Sequence, residues 1–594
     1  MPELIWEGKA RGVEARRELA GEPLALRTVA RFGGKKGWQN RLIRGDQRWV
    51  LPALSSEFRG AVDLIYIDPP FDTGGSFSFK TRLPGRRAAD GASSVVSERA
   101  YRDRWGLDRY LAWFAPLVAS LRELLSERGT LYVHLDWRAV HYAKVVLDEV
   151  FGVDCFRSEI IWRYRRWPAP TPNLQRMHDT ILAYARGPKS VPIFHTLYEP
   201  LAPSTRQTFG TRRQVADFSS GRRKPAQLDE PSPGAPLADV WDIGVIAPSG
   251  HERVGYPTQK PVALLERIVR LSSDEDSLVL DCFSGSGTTA LVAERLGRRW
   301  IAADIGRLAV HTTRRRLLAS GEPRPFLLQD LGAPERRAWQ AASFGAISGT
   351  SDPEAATRAW LLARFGARPV EGGSWLHGRK GKRPVHVGAV AHAVSPDELV
   401  AIAQAAHAAQ QASARGTRRA SARGAKTVRP EVDVLGWEFT PAAVARCHAI
   451  GDEAGVTLRL FTVPHEALAV GPDAPGELSS DDFLALEAPS VKVAGKGREV
   501  SVELTDVRAP GHLTAEARRA LKDGSEWIES WAVDWDYRGE AFVARWHASR
   551  ARGEASLPLR AAHTYSRAGA FTIAVKVTDL LGHEVTTVVE RKVR

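Results

Sequence analysis

Residues Ser277 to Asp304, "SLVLDCFSGSGTTALVAERLGRRWIAAD", restrict the fold more than any other stretch of the chain. An apolar run, a glycine-rich turn, a helical pattern and a second apolar run ending in an acid read as one strand–helix–strand unit. Such a unit points to a parallel sheet covered by helices on both faces. Gly285, Gly287 and Ala290 satisfy G-x-G-x-x-A, and Asp304 follows Gly285 by 19 residues. At that spacing an acid meets the hydroxyls of a ribose in a nucleoside-binding α/β fold. A nicotinamide dinucleotide-dependent oxidoreductase would show the same pattern. The chain has no G-x-x-x-x-G-K-[ST], which disfavours a nucleoside triphosphatase. Asp281 and Phe283 stand just before the first glycine. An acid there opposes a pyrophosphate and suits a ligand with a cationic amino-acid end, such as S-adenosylmethionine.

The same alternation runs on either side. "LIYID" and "TLYVHLD" read as strands, "AVHYAKVVLDEVFG" as a helix, and "DRYLAWFAPLVASLRELLSERG" as a helix stopped by Gly129. At 594 residues the chain is too long for one core. The pattern gives an N-terminal extension over 1–35, and a catalytic α/β domain split between 36–156 and 248–330. A basic, aromatic insert covers 157–247 and a linker 331–370. A small α/β module spans 371–470, with a basic loop at 412–429. A β-rich domain covers 480–594, where Phe571, Ile573, Val575 and Val577 share one face. The formal net charge of +14 favours a polyanionic partner. Three widely spaced cysteines offer neither a disulfide framework nor a zinc site, so no metal is expected. No apolar run is long enough to span a membrane, and a cytoplasmic location is expected.

The second constraint is "VDLIYIDPPFDTGG", a buried strand ending in Asp68-Pro69-Pro70-Phe71. Two prolines discard two backbone donors and fix two φ angles. The plain reading is a stiff strand terminator; the other is a rigid cup for a flat polar ring. Taken together, three motifs resemble those of amino-group DNA methyltransferases. Asp68 to Phe71 is similar to the catalytic motif, Asp281 to Thr289 to the S-adenosylmethionine loop, and "YPTQKP" (Tyr256 to Pro261) to the segment before that loop. The order, catalytic motif first and cofactor loop last, resembles the β class, which includes the modification subunits of type III restriction systems. Cys282 departs from the pattern, where Pro is common; a small buried side chain is expected there, not a nucleophile.

The resemblance implies a Rossmann-like methyltransferase domain and methylation of adenine N6, with cytosine N4 as the alternative. Asp68 and the Pro69 carbonyl would accept hydrogen bonds from the amine, and Phe71 would stack on a base flipped from the duplex. The cofactor set is Asp281, Phe283, Gly285, Gly287 and Asp304, with Thr258 and Lys260. The insert would read double-stranded DNA through Arg163, Arg165, Arg166, Arg212, Arg213, Arg222, Arg223 and Lys224. A metal-dependent nuclease would need clustered carboxylates and a lysine. Asp433 and Glu438 stand in "PEVDVLGWEF" without a following Glu-x-Lys, so restriction would need a separate helicase or nuclease subunit. A homodimer is compatible with the reading. The end of the chain resembles the closing strands of an immunoglobulin-like PKD domain.

Overall fold

The computed structural model describes the chain apart from residues 1–2, 7–8, 10–23, 35, 72–74, 85–94, 104–105, 168–169, 171, 218–223, 322, 346–351, 371, 373–374, 418–428, 471–477, 488–489, 506–520, 522–523 and 551–556. An eleven-stranded sheet forms its centre. Its strands in chain order are β1 (Arg27–Phe32), β2 (Asn40–Arg44), β3 (Val62–Ile67), β4 (Leu125–Leu135), β5 (Phe156–Arg163) and β6 (His178–Ala185). There follow β7 (Val240–Asp242), β8 (Leu278–Asp281), β9 (Arg299–Asp304), β10 (Phe326–Asp330) and β11 (Phe542–Val543). Across the sheet they lie in the order β7-β5-β6-β4-β3-β8-β9-β2-β10-β1-β11. The run β4-β3-β8-β9-β2-β10 is parallel, as the strand–helix alternation requires. β6 runs antiparallel to both neighbours, and β1 antiparallel to β10.

Side chains alternate across β3 between two cores. Ile65 and Ile67 enter one with α1 (Gln47–Phe58), α2 (Leu107–Leu124) and α3 (Val140–Phe151). Leu64 and Tyr66 enter the other with α4 (Val262–Leu271), α5 (Thr288–Arg295) and α6 (Arg307–Ala319). Period-two alternation against 3.6-residue stripes thus produces the doubly covered sheet. Gly129 does not stop α2. The helix ends at Leu124 because Leu125, wholly buried, turns directly into β4. Gly129 lies inside that strand, where a Cβ would come within 2.8 Å of the Val62 carbonyl.

Three other boundaries differ from the sequence reading. The insert does not start at 157: β5, β6 and β7 belong to the main sheet, because "EIIWRY" and "TILAYA" supply buried strand residues among the arginines. Residues 331–370 hold two helices, Ala333–Phe344 and Pro353–Phe365, in place of a linker. Asp352 caps the second by accepting from the Glu354 and Ala355 amides, and Trp339, Trp360 and Phe365 fill a core with the small module. The helix Pro396–Thr417 runs into the expected basic loop, whose residues 418–428 lie outside those described. In the module, Arg383–Val387, Glu431–Gly436 and Thr457–Thr462 form a parallel core.

The C-terminal region is a β-sandwich. Ser490–Lys496, Glu499–Thr505 and Arg560–Thr564 make one sheet; Trp546–Ser549, Ile528–Asp534, Gly569–Asp579 and Glu584–Val593 make the other. Val500, Val502, Trp531, Phe571, Ile573 and Val575 share its core. The sandwich is not a free appendage, since β11 leaves it to pair with β1 on the edge of the catalytic sheet. Its turn also meets α6. Arg307 donates to the Leu581 carbonyl and pairs with Glu98, and Arg314 pairs with Glu584. No helix among the described residues is long and apolar enough to cross a membrane.

Candidate functional site

β3 and β8 are parallel neighbours, with Leu64 beside Val279 and Ile65 beside Leu280. Their carboxyl ends, Asp68 and Asp281, therefore open on one crevice, although they stand 213 positions apart in the chain. Asp304 ends β9, the next strand over. In a parallel sheet this edge is where ligands bind.

At Asp68, Oδ2 accepts from Lys260 Nζ at 2.5 Å. Oδ1 is buried, has no hydrogen-bond partner among the described residues, and lies 3.8 Å from His134 Nδ1. Pro69 is buried, and Pro70 and Phe71 are half-buried. The Phe71 ring lies 5.9 Å from the His134 ring, and Lys260 Nζ stands 5.5 Å from its centre.

Sequence reasoning missed the group behind Asp68. His134 is fully buried at the end of β4; its Nδ1 lies 2.8 Å from the Tyr66 hydroxyl and its Nε2 3.4 Å from Asp179 Oδ2. Burial, then the surrounding carboxylates Asp68, Asp281 and Asp179, push the Tyr66 hydroxyl well up, so it stays protonated. It can donate to Nδ1, which places the imidazole proton on Nε2, facing Asp179. Asp179 also accepts from the Tyr164 hydroxyl at 3.0 Å, which in turn accepts from Arg166. Burial raises Asp179, but its hydrogen bond with His134, the charge of Lys260 and the Tyr164 hydroxyl outweigh it and hold the group below the ordinary carboxylate value. A histidine and an acid interrupting the apolar strands "TLYVHLD" and "HDTILAYA" were the available signal.

The glycine loop is held from within. Phe283 N donates to Asp281 Oδ1 at 3.0 Å, Ser284 N to the Ala303 carbonyl, Gly285 N to Asp304 Oδ2 at 2.8 Å and Gly287 N to the Ser284 carbonyl. Asp281 Oδ2 accepts from the Thr289 hydroxyl, and Asp304 Oδ1 from Gly306 N. Both glycines have positive φ, +48° at Gly285 and +76° at Gly287. A Cβ on Gly287 would lie 2.4 Å from Thr313 Oγ1, so only glycine fits. Tyr256 packs against Gly285, and the buried Arg316 guanidinium donates to Ser286 and Thr288. Phe283 meets Trp113 edge-on at 5.7 Å.

Burial pushes Asp281 up to about 7 against the bonds from Thr289 and Phe283, with Asp68 and Asp304 adding repulsion. Burial raises Asp304 to about 6 against the bonds from Gly306 and Gly285. Cys282 is buried, and desolvation followed by Asp281 drives its thiol well up, which leaves it inert. Thr258 is exposed, with φ of +57° and its hydroxyl on the Pro257 carbonyl.

Of the expected DNA-contacting residues, Arg166 reaches the Asp179 network through Tyr164. Arg163 pairs with Asp242, Arg212 with Asp229 and Arg213 with Glu230, all exposed. Arg165 and Lys224 are exposed, and Arg166 lies on the Tyr164 ring. Arg222 and Arg223 lie outside the described residues. The acids weighed for a nuclease are engaged: Asp433 is fully buried between Arg383 and Arg459, and Glu438 pairs with Arg27 and Arg336.

A family model described as DNA methylase matches residues 62–315, which contain both strand ends and the glycine loop. The type II methyltransferase M2.DpnII of Streptococcus pneumoniae is 43% identical over 292 residues, covering 47% of this chain and 90% of that protein. The chain belongs to the DNA methylase family. The methylase is also 26% identical over 288 residues to the DNA adenine methyltransferase YhdJ of Escherichia coli (strain K12), covering 48% of this chain and 84% of YhdJ. It is 23% identical over 339 residues to the StyLTI Mod subunit, a type III restriction-modification enzyme of Salmonella typhimurium, covering 43% of this chain and 50% of that subunit. The family model ends at residue 315, before the module and the sandwich.

Proposed function

We propose that the methylase transfers a methyl group from S-adenosylmethionine to the N6 amino group of an adenine flipped out of duplex DNA. One observation carries the reading: parallel pairing of β3 with β8 brings Asp68 and the glycine loop to one crevice. The loop also bears on the choice of cofactor. Its amides at Phe283, Ser284, Gly285 and Gly287 are already committed to protein acceptors, which leaves little to cradle a pyrophosphate. Two buried acids raised toward neutrality, beside a third carboxylate, suit a cationic ligand. The residues therefore fit S-adenosylmethionine and argue against a nicotinamide dinucleotide. Asp281 would face its cationic end, Asp304 its ribose, and Phe283 its adenine. When bound, it supplies an electrophilic methyl on a sulfonium.

The chain supplies the rest. An exocyclic amine is a poor nucleophile while its lone pair is delocalised into the ring. Asp68 Oδ1, without a partner among the described residues, accepts one amine hydrogen, and the Pro69 carbonyl accepts the other. Two acceptors disfavour the planar amine and aim its lone pair. Phe71 stacks on the base, and Lys260 holds Asp68 in place from the opposite oxygen. Adenine is preferred to cytosine on the likeness to YhdJ, and the likeness to a Mod subunit supports a separate restriction subunit. The exposed arginines of the insert contact phosphates, for which Asp229, Glu230 and Asp242 are weak surface competitors. Transfer of labelled methyl from S-adenosylmethionine to DNA, lost in Asp68→Ala, tests the reading. No transfer to any DNA, with hydride transfer to a nicotinamide cofactor instead, would overturn it.

A further inference from the structure

The hairpin loop between β5 and β6, residues 164–177, exposes two of the largest apolar side chains to water. Trp167 is 90% exposed and Leu174 95%. Most large apolar residues in this protein reach a core, and exposed ones gathered on one loop mark a contact surface. The loop reads "YRRWPAPTPNLQRM" and contains no acid, three arginines and three prolines. Gln175 donates to the Trp167 carbonyl at 2.9 Å, which ties the two arms of the loop together.

Its position is as telling as its composition. β6 runs antiparallel to β4, so the β5–β6 turn projects past the carboxyl edge of the sheet, the edge that carries Asp68. The loop is rooted in the catalytic network. Tyr164 at its start donates to Asp179 on β6, and Asp179 meets His134 behind Asp68. Arg176 near its end lies 3.7 Å from the ring centre of Trp137, itself 44% exposed just beyond the end of β4.

We propose that Trp167 and Leu174 form a wedge that enters the DNA duplex beside the target base and holds the base out of the stack. The proposal rests on the reading of the protein as a DNA methylase. Its occupant is duplex DNA because arginines without acids match phosphates, and apolar side chains flanked by such arginines match an opened base step. A base leaving the helix opens an apolar gap between its neighbours, and a side chain that fills it retains stacking otherwise lost. Arg165 and Arg176 hold the phosphates on either side of that gap.

The test uses the full chain on native genomic DNA that lacks the modification, comparing Trp167→Ala, Leu174→Ala and Trp167→Phe. The alanine variants are expected to lose tenfold or more in kcat with KM changed less than threefold, and Trp167→Phe to stay within threefold of the parent. A wedge acts after binding, whereas a phosphate contact or a misfolded loop would not give this split with rescue by another ring. Full kcat in both alanine variants, a loss confined to KM, or failure of Phe to restore activity would overturn the wedge. A parent protein that transfers no methyl group to DNA would instead overturn the proposed function, so the two failures are distinguishable.

Discussion

Cofactor binding near neutral pH should release a proton, and the structure gives its size. Asp281 is raised to about 7 and Asp304 to about 6, both by burial. At pH 6.5 the empty protein therefore carries about three quarters of a proton on Asp281 and about one quarter on Asp304. A cationic ligand requires both carboxylates ionised, so binding expels about one proton in all. The sign follows from raised acids, whose protonated form competes with the cation; affinity must fall as pH drops through 7. Counting both groups, it falls about fifteenfold between pH 7.5 and pH 6. Isothermal titration of S-adenosylmethionine at pH 6.5, in two buffers of different ionisation enthalpy, reads the proton count directly. The ligand's own α-amino group, with an ordinary value near 8, stays charged there. Asp281→Asn should reduce the release to about a quarter of a proton. No exchange, or uptake of a proton, would refute the assignment of Asp281 to the cofactor's cationic end and of Asp304 to its ribose.

Gly287→Ala should cost about 2 kcal/mol or more in a melting experiment and weaken cofactor binding, because φ is +76° and the new methyl meets Thr313, including its Cβ. Glu98 is held at about 2, chiefly by Arg307 against its own burial, and Glu438 at about 2, chiefly by Arg27 and Arg336 against its burial. These lowered acids stabilise the folded chain above about pH 4.5 and lose that contribution as pH falls toward 2. Glu98→Gln and Glu438→Gln should thus lose less stability than the parent between pH 5 and pH 3, followed by circular dichroism. If about six phosphates are contacted, log K for DNA plotted against log salt should have a slope of about −5, measured by filter binding.

The centre of the fold was legible because its signals are local. An apolar run, a glycine turn and a helical stripe each commit a short stretch, and the acids at Asp68, Asp281 and Asp304 mark strand ends in the sequence itself. What the sequence hid were partnerships over long separations. His134 and Asp179 lie on strands that read as plain core, and only the antiparallel pairing of β6 with β4 sets them behind Asp68. Lys260 was expected with the cofactor residues, and the crevice brings it onto Asp68. β5 was disguised by Arg157 and Arg163, whose exposed face says nothing of the buried one, and β6 by the basic stretch before it. The docking of β11 on β1 involves two residues a side, too short to leave any pattern.

The central claim is that Asp68 and the glycine loop together methylate an adenine amine. Native DNA incubated with the full chain and S-adenosylmethionine, then digested to nucleosides and resolved by mass spectrometry, tests it most directly. N6-methyladenine is expected with the parent and none with Asp68→Ala. N4-methylcytosine as the only product, or N6-methyladenine undiminished in Asp68→Ala, would contradict it.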